Sequence, residues 1–181
     1  MLHLKNITAG NPKTAEQYQM TKQHGITWLF SEDDQNWYEE LKNFASDTIK
    51  MVYTGDGRVV WVGKDVTGIE PRNASVIEVP DITANRRITV PGYWFYLDDK
   101  FVFDYKLKAE DERDALLQRV SIMTSEWEKD LLLGLISDDD REKLKAYRIY
   151  AKSLQAMDFS TITDKSSYNA IEWPVSLEGS S

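Results

Sequence analysis

The sequence predicts an α+β fold: a small β-rich N-terminal portion with one early helix, then a helical hairpin and a C-terminal arm. Three observations carry that prediction. Paired β-branched and aromatic runs flank turn-forming residues through the middle of the chain. From Lys108 the apolar period changes from two to about 3.6 residues. The composition, 41% hydrophobic and 29% charged over 181 residues, is that of a chain able to bury a core.

The elements follow in order. Asn11-Pro12 offers an N-cap and a first-turn proline, and Gly25 offers a stop, so a helix of about three turns is expected between them. Ile26 to Phe30 reads as a strand that ends in the polar turn Ser31-Glu32-Asp33-Asp34. Trp37-Tyr38 is compatible with a second short strand or with a helix from Asn36 to Phe44. Ile49 to Tyr53 and Arg58 to Val62 flank Thr54-Gly55-Asp56-Gly57, a strong hairpin signal because glycine supplies positive φ. Ser75 to Val79 is a third strand, which Pro80 ends. Tyr93 to Tyr96 and Phe101 to Tyr105 form a second hairpin around Leu97-Asp98-Asp99-Lys100. Beyond it, Leu116, Val120, Met123, Trp127 and Leu131 make one helical stripe, and Leu144, Tyr147, Ala151 and Leu154 make another. Ser137 caps the second helix, and the following aspartates meet its positive end. So short a link implies an antiparallel pair. The division expected is 1–105 for the β-rich region and 106–181 for the hairpin and arm. Leu177 to Ser181 has the composition of a cloning scar and carries no fold argument.

Charge and motifs exclude several function classes. A net charge of -8 and a pI of about 4.8 repel a phosphate backbone, and Arg86-Arg87 is the lone adjacent basic pair, so nucleic acid is not an expected partner. The absence of cysteine excludes disulfides, thiolate zinc sites and thiol nucleophiles. The N-terminus lacks a secretory pattern and no run is long enough to span a membrane, so no membrane insertion is expected and the chain is expected to stay in the cytosol. His3 and His24 have no metal-ligand spacing, and no phosphate-binding or nucleophile-elbow motif is present. The clusters Glu32-Asp33-Asp34, Asp98-Asp99 and Asp138-Asp139-Asp140 lie at turns or a helix start, where local backbone bonding explains them. Spacing alone does not exclude a glycosidase-like carboxylate pair. No catalytic residue, metal ligand or cofactor-binding residue is assigned.

Six tryptophans, nine tyrosines and six phenylalanines are a heavy aromatic load for a core of this size. Most of the second hairpin's aromatics are expected to pack a small sheet. The remainder are available to an interface or to stacking on sugars. The polar stretch Ser160 to Ser167 leads into Tyr168, Ile171 and Trp173, an arm expected to be mobile and either tucked back or reserved for a partner. Candidate partner-binding residues are therefore Tyr93, Trp94, Tyr96, Tyr168, Ile171 and Trp173.

An ordered series of residues adds a resemblance. Leu2 to Ile7, Gln17-Tyr18, Gly25 to Asp33, Asn36-Trp37-Tyr38, Asn43-Phe44, Asp47 to Lys50, Val79 to Arg87, Ala156 to Ser160 and Glu172-Trp173-Pro174 together resemble the caudoviral tail fibre assembly proteins, the group that includes those of phages Mu, P2 and lambda. The resemblance is nearest to the Mu-like branch and covers nearly the whole chain. Between Ile88 and Tyr93 the chain departs from the family's pattern with a more apolar approach to Trp94. The resemblance implies a non-enzymatic chaperone, without cofactor, working in the host bacterial cytoplasm. Its partner would be the C-terminal region of a homotrimeric phage or prophage tail fibre protein, which it helps to trimerise and fold, with three chaperones per trimer. For the Mu-like branch it further implies retention on the fibre tip in the virion and a contribution to host lipopolysaccharide recognition. The physics is compatible, because intertwined β-rich trimers form slowly and leave edges exposed while they form. A receptor-binding adhesin that stacks aromatic rings on surface polysaccharide is the alternative, and an enzyme acting on that polysaccharide is a third reading.

Overall fold

The computed structural model describes residues 1–177 and divides into two compact units, Met1–Phe103 and the residues from Asp104 onward. The first unit contains β1 (His3–Gly10), α1 (Ala15–His24), β2 (Trp28–Phe30), α2 (Trp37–Glu40), β3 (Ile49–Thr54), β4 (Val59–Gly63), β5 (Ala74–Val79), α3 (Thr83–Arg86), β6 (Trp94–Leu97) and β7 (Lys100–Phe103). The fold is α+β, with the β-rich part first and the long helices after it.

Strands β2-β1-β5-β3-β4 form an antiparallel sheet, and β6-β7 form a separate hairpin. Alternation along the strands divides the apolar residues between two faces. Leu4, Ile7, Leu29, Val52, Ala74 and Val76 form one cluster with Trp37 of α2. Ile49, Met51, Val59, Ile77 and Val79 face Ile88 and Trp94. Strand β5, covered on both sides, is buried along its whole length.

The sequence reading omitted β1. Its fully buried residues, Leu4 and Ile7, stand three apart, which fits neither face of a regular strand. Asn6, at φ 49°, marks the irregularity, and the register with β5 shifts between Leu4 and Ile7. A bulge of this kind brings both side chains to one face.

Helix α1 stops at Gly25 as expected, but its cap is Thr14, whose Oγ1 accepts the Gln17 N–H at 3.1 Å, rather than Asn11. The Trp37-Tyr38 ambiguity resolves to helix because the Asn36 side chain caps α2. In the second hairpin, Leu97 pairs with Lys100, so the turn is only Asp98-Asp99, both at positive φ. Two such residues make the tight turn whose twist matches antiparallel strands. Asp104 and Tyr105, expected at the end of that hairpin, instead cap and begin a helix, with Asp104 Oδ1 accepting the Leu107 N–H at 2.8 Å.

The second unit contains α4 (Tyr105–Leu133), α5 (Asp138–Gln155) and α6 (Lys165–Asn169). Gly134, at φ 70°, ends α4, and Ser137 Oγ caps α5 by accepting the Asp140 N–H at 3.1 Å. Val120, Tyr150 and Leu154 form the buried core, flanked by Leu116, Leu117, Tyr147, Ala151 and Trp173. The predicted stripe on α4 holds at Leu116 and Val120 but fails at Met123 and Leu131, which are exposed, while Thr124 is buried. Rotation is not the cause for Leu131: at about 100° per residue it falls between Val120 and Thr124, on the buried face, and it is exposed in the last turn of the helix. The stretch from Ser160 to Ser167, expected to be mobile, is partly folded into α6. Asp164 and Ser167 close a reciprocal capping box at its start.

Candidate partner-binding surfaces

In the first unit the second hairpin carries three of the candidates. Hairpin pairing places Trp94 opposite Phe103 and Tyr96 opposite Phe101, all on the face turned toward the sheet. Trp94 is 8% exposed, packs edge-on to Phe103 at 5.1 Å and lies under the Arg87 guanidinium at 5.3 Å. It therefore offers no open face for stacking on a sugar. Tyr93 is half-buried and meets the Phe103 ring at 6.0 Å.

Tyr96 belongs to an aromatic and polar cluster. Its ring lies 4.9 Å from Tyr53, 5.5 Å from His3 and 5.0 Å from Phe101, and its hydroxyl donates to Asp99 Oδ1 at 3.1 Å. Burial and the Asp99 carboxylate push the Tyr96 phenol up to about 12. His3 Nε2 is hydrogen-bonded to the Tyr53 hydroxyl at 2.7 Å, and burial, followed by the charge of Lys5, lowers the His3 pKa. The hairpin is seated by the Tyr96 N–H, which donates to Gly57 O at 2.7 Å. A side chain at Gly57 would place its Cβ 2.6 Å from Tyr96 O, and φ there is +87°, so glycine meets both demands. The residues this hairpin turns outward are Phe95, Leu97 and Val102, one register step from Trp94 and Tyr96.

In the second unit the arm's candidates are folded against helices. Tyr168 OH donates to Glu112 Oε2 at 2.6 Å and accepts from Lys108 Nζ, which also bonds Glu112. Its ring lies 5.7 Å from Tyr105. Burial raises the Tyr168 pKa, and the Glu112 carboxylate raises it further. For Glu112, burial acts upward but is outweighed by hydrogen bonds from Lys108 and Tyr168, and the net shift is downward. Trp173 meets Phe159 at 5.8 Å and packs beside the helical core. Ile171 is half-buried and its N–H donates to Tyr168 O at 3.2 Å. The structure thus gathers the three residues in one folded arm, anchored by aromatic packing and a charged bond.

Two surfaces escaped the sequence reading. The tip of the helical hairpin exposes Leu132 at 87%, Leu133 at 70% and Leu135 at 72%. Beside them a groove of about 570 Å³ is lined by Glu128, Leu131, Leu132, Arg141, Leu144, Lys145 and Arg148. The run Leu131 to Ile136 carries the signal, because a helix facing one partner buries about one residue in three, and five apolar residues in six exceed that quota. A second groove of about 580 Å³ runs between the edge strand β4 and Val90, Pro91 and Gly92.

Among the described residues no group of three or more histidine, aspartate or glutamate side chains could hold a metal ion. No helix among them is long and apolar enough to cross a membrane. These surfaces offer apolar area, aromatic edges and charged rims, which is the chemistry of protein binding.

Comparison with known proteins gives these surfaces a context. Residues 39–178 match the family model described as Caudovirales tail fibre assembly protein, lambda gpK. The chain is 48% identical to tail fiber assembly protein U' of Escherichia phage Mu over 168 residues, covering 90% of this chain and 95% of that protein. It is 46% identical to tail fiber assembly protein U' of Escherichia phage P1, again with 90% and 95% covered. Identity to the probable tail fiber assembly protein of Escherichia phage P2 is 40% over 164 residues, covering 87% and 94%. On a family match across most of its length and full-length relatives at this identity, the chain belongs to the bacteriophage tail fibre assembly family, and its role lies in tail fibre assembly.

Proposed function

We propose that the protein is a binding chaperone for a tail fibre protein. It engages the C-terminal region of the fibre chain in the host cytoplasm, promotes trimerisation and folding without catalysis, and stays on the finished tip. One chaperone binds each fibre chain, so a trimer carries three, the number that three equivalent fibre chains allow. The observation that carries this reading is the family membership, extending over nearly the full length of relatives named for fibre assembly. Physical support comes from apolar residues left open on each unit: Leu97 and Val102 on the second hairpin, and the leucines of the helical tip. Exposed apolar area of this kind can cover unpaired strands and apolar patches while a slow β-rich trimer forms. Of the residues first singled out, Tyr93 and Tyr96 are half-buried and contribute what surface they retain, and Tyr168, Ile171 and Trp173 contribute through the folded arm.

The test is co-expression with the cognate fibre. Its C-terminal fragment made alone should be insoluble or non-trimeric, and made with this protein it should be soluble, trimeric and bound to three copies. Equal yields of native trimer with and without the protein would remove the proposal.

A further inference from the structure

The groove at the tip of the helical hairpin has two properties that together name the chemistry of an occupant. Its floor is apolar, formed by Leu131, Leu132 and the buried Leu144. Its rim is basic: Arg141, Lys145 and Arg148 recur at spacings of four and three along α5, which places them on one helical face.

The basic rim is not consumed by internal ion pairs. Arg141 has no salt-bridge partner among the described residues, and Arg148 Nη1 is 3.9 Å from Glu128 Oε1, at the outer limit of an ion pair. Lys145 lies 3.6 Å from Glu142 in an exposed pair of small energetic weight. Of the nearby carboxylates, Glu128 alone lines the groove, and Asp140 is engaged by Lys143 and Ser137. Asp138 and Asp139 belong to the first turn of α5, outside the lining. In a chain of net charge -8, a cationic face against exposed leucines selects for acidic partners and rejects basic ones.

We propose that this groove docks an acidic amphipathic segment of a partner protein. Apolar side chains of the segment cover Leu131, Leu132 and Leu144, and its carboxylates pair with Arg141, Lys145 and Arg148. The inference goes beyond the fibre-chaperone reading, which shares the tip leucines with it and is tested apart from it by the yield of native trimer on co-expression.

The probe is a short labelled helical peptide with leucines along one face and glutamates on the other, compared with a version in which lysine replaces every glutamate. Fluorescence anisotropy with the full-length protein should show the glutamate peptide binding about ten-fold more tightly, with the difference shrinking in high salt. Leu132→Glu should abolish binding. The pair Arg141→Glu and Arg148→Glu should reverse the preference; all three residues are exposed, and circular dichroism checks that the variants fold. Equal affinity for the two peptides, or binding unchanged by Leu132→Glu, overturns the proposal. A concentration-dependent dimer that Leu132→Glu dissolves also overturns it, because the groove then belongs to a second copy.

Discussion

Glu78 sits at the centre of the sheet, opposite Lys50 in the β3-β5 register, and both side chains are buried. One carboxylate oxygen accepts the Leu2 N–H at 2.9 Å, and the other accepts the Ala45 N–H at 2.7 Å and the Thr48 hydroxyl at 2.6 Å. Lys50 Nζ donates to the carbonyls of Ala45 and Thr48. One cross-strand pair therefore ties the start of β1 and the 45–48 loop to the middle strands. Burial alone would raise the Glu78 pKa, but the bonds from Thr48, Leu2 and Ala45 and the Lys50 charge outweigh it and hold it below its ordinary value. A lowered folded pKa means that its stabilisation is present above the ordinary carboxylate pKa and lost as pH falls through the folded value. Glu78→Gln should cost about 1–3 kcal/mol at neutral pH, the range for a charge-assisted network left partly unmade. Urea denaturation at several pH values checks this: the wild type should lose stability in acid more steeply than the variant, and parallel pH profiles would show that the carboxylate charge contributes nothing.

At the scale of elements, the C-terminal arm is the clearest case of packing deciding what local sequence left open. Trp173 covers the helical core beside Phe159, and Tyr168 closes a charged bond to Lys108 and Glu112. Truncating a fully buried aromatic costs roughly 3–5 kcal/mol, and Trp173, half-buried, should cost about 2 kcal/mol on Trp173→Ala. Thermal melting followed at helical wavelengths reads this. An unchanged melting temperature would return the arm to the status of a free tail. The same comparison shows which elements the sequence makes legible. The first hairpin is readable because Gly57 and period-two alternation agree, and α5 because Ser137 and three aspartates mark its start. Strand β1 was hidden by the irregularity at Asn6, which breaks the alternation a reader counts. The candidate site was less legible. Trp94 and Tyr96 share a strand face, but the side of that face covered by the sheet depends on the distant seat at Gly57. The exposed leucines at the hairpin tip are visible as a run in the sequence, yet their exposure follows from where α4 ends, at Gly134.

At the scale of the molecule, each unit carries its own core, the two layers about the sheet in one and the Val120-Tyr150-Leu154 cluster in the other. Separate cores suggest separate folding, and the place of the cut gives that idea a sharp test. A boundary after Tyr105, the division read from periodicity, would strip two residues that belong to the helical unit. Asp104 supplies the cap of α4, and Tyr105 lies against Tyr168 of the arm. Loss of an aspartate cap costs about 1 kcal/mol, and loss of an aromatic pair about 0.5–1.5 kcal/mol beyond its buried area. A fragment beginning at Asp104 should therefore fold as a helical hairpin with its arm attached, and one beginning at Lys106 should melt several degrees lower with a frayed first turn. A fragment of residues 1–103 should keep its sheet signature. Circular dichroism and amide hydrogen exchange on the three fragments make the measurement. Identical melting of the two helical fragments would remove the role assigned to Asp104 and Tyr105, and an unfolded 1–103 fragment would show that the first core does not stand without the second.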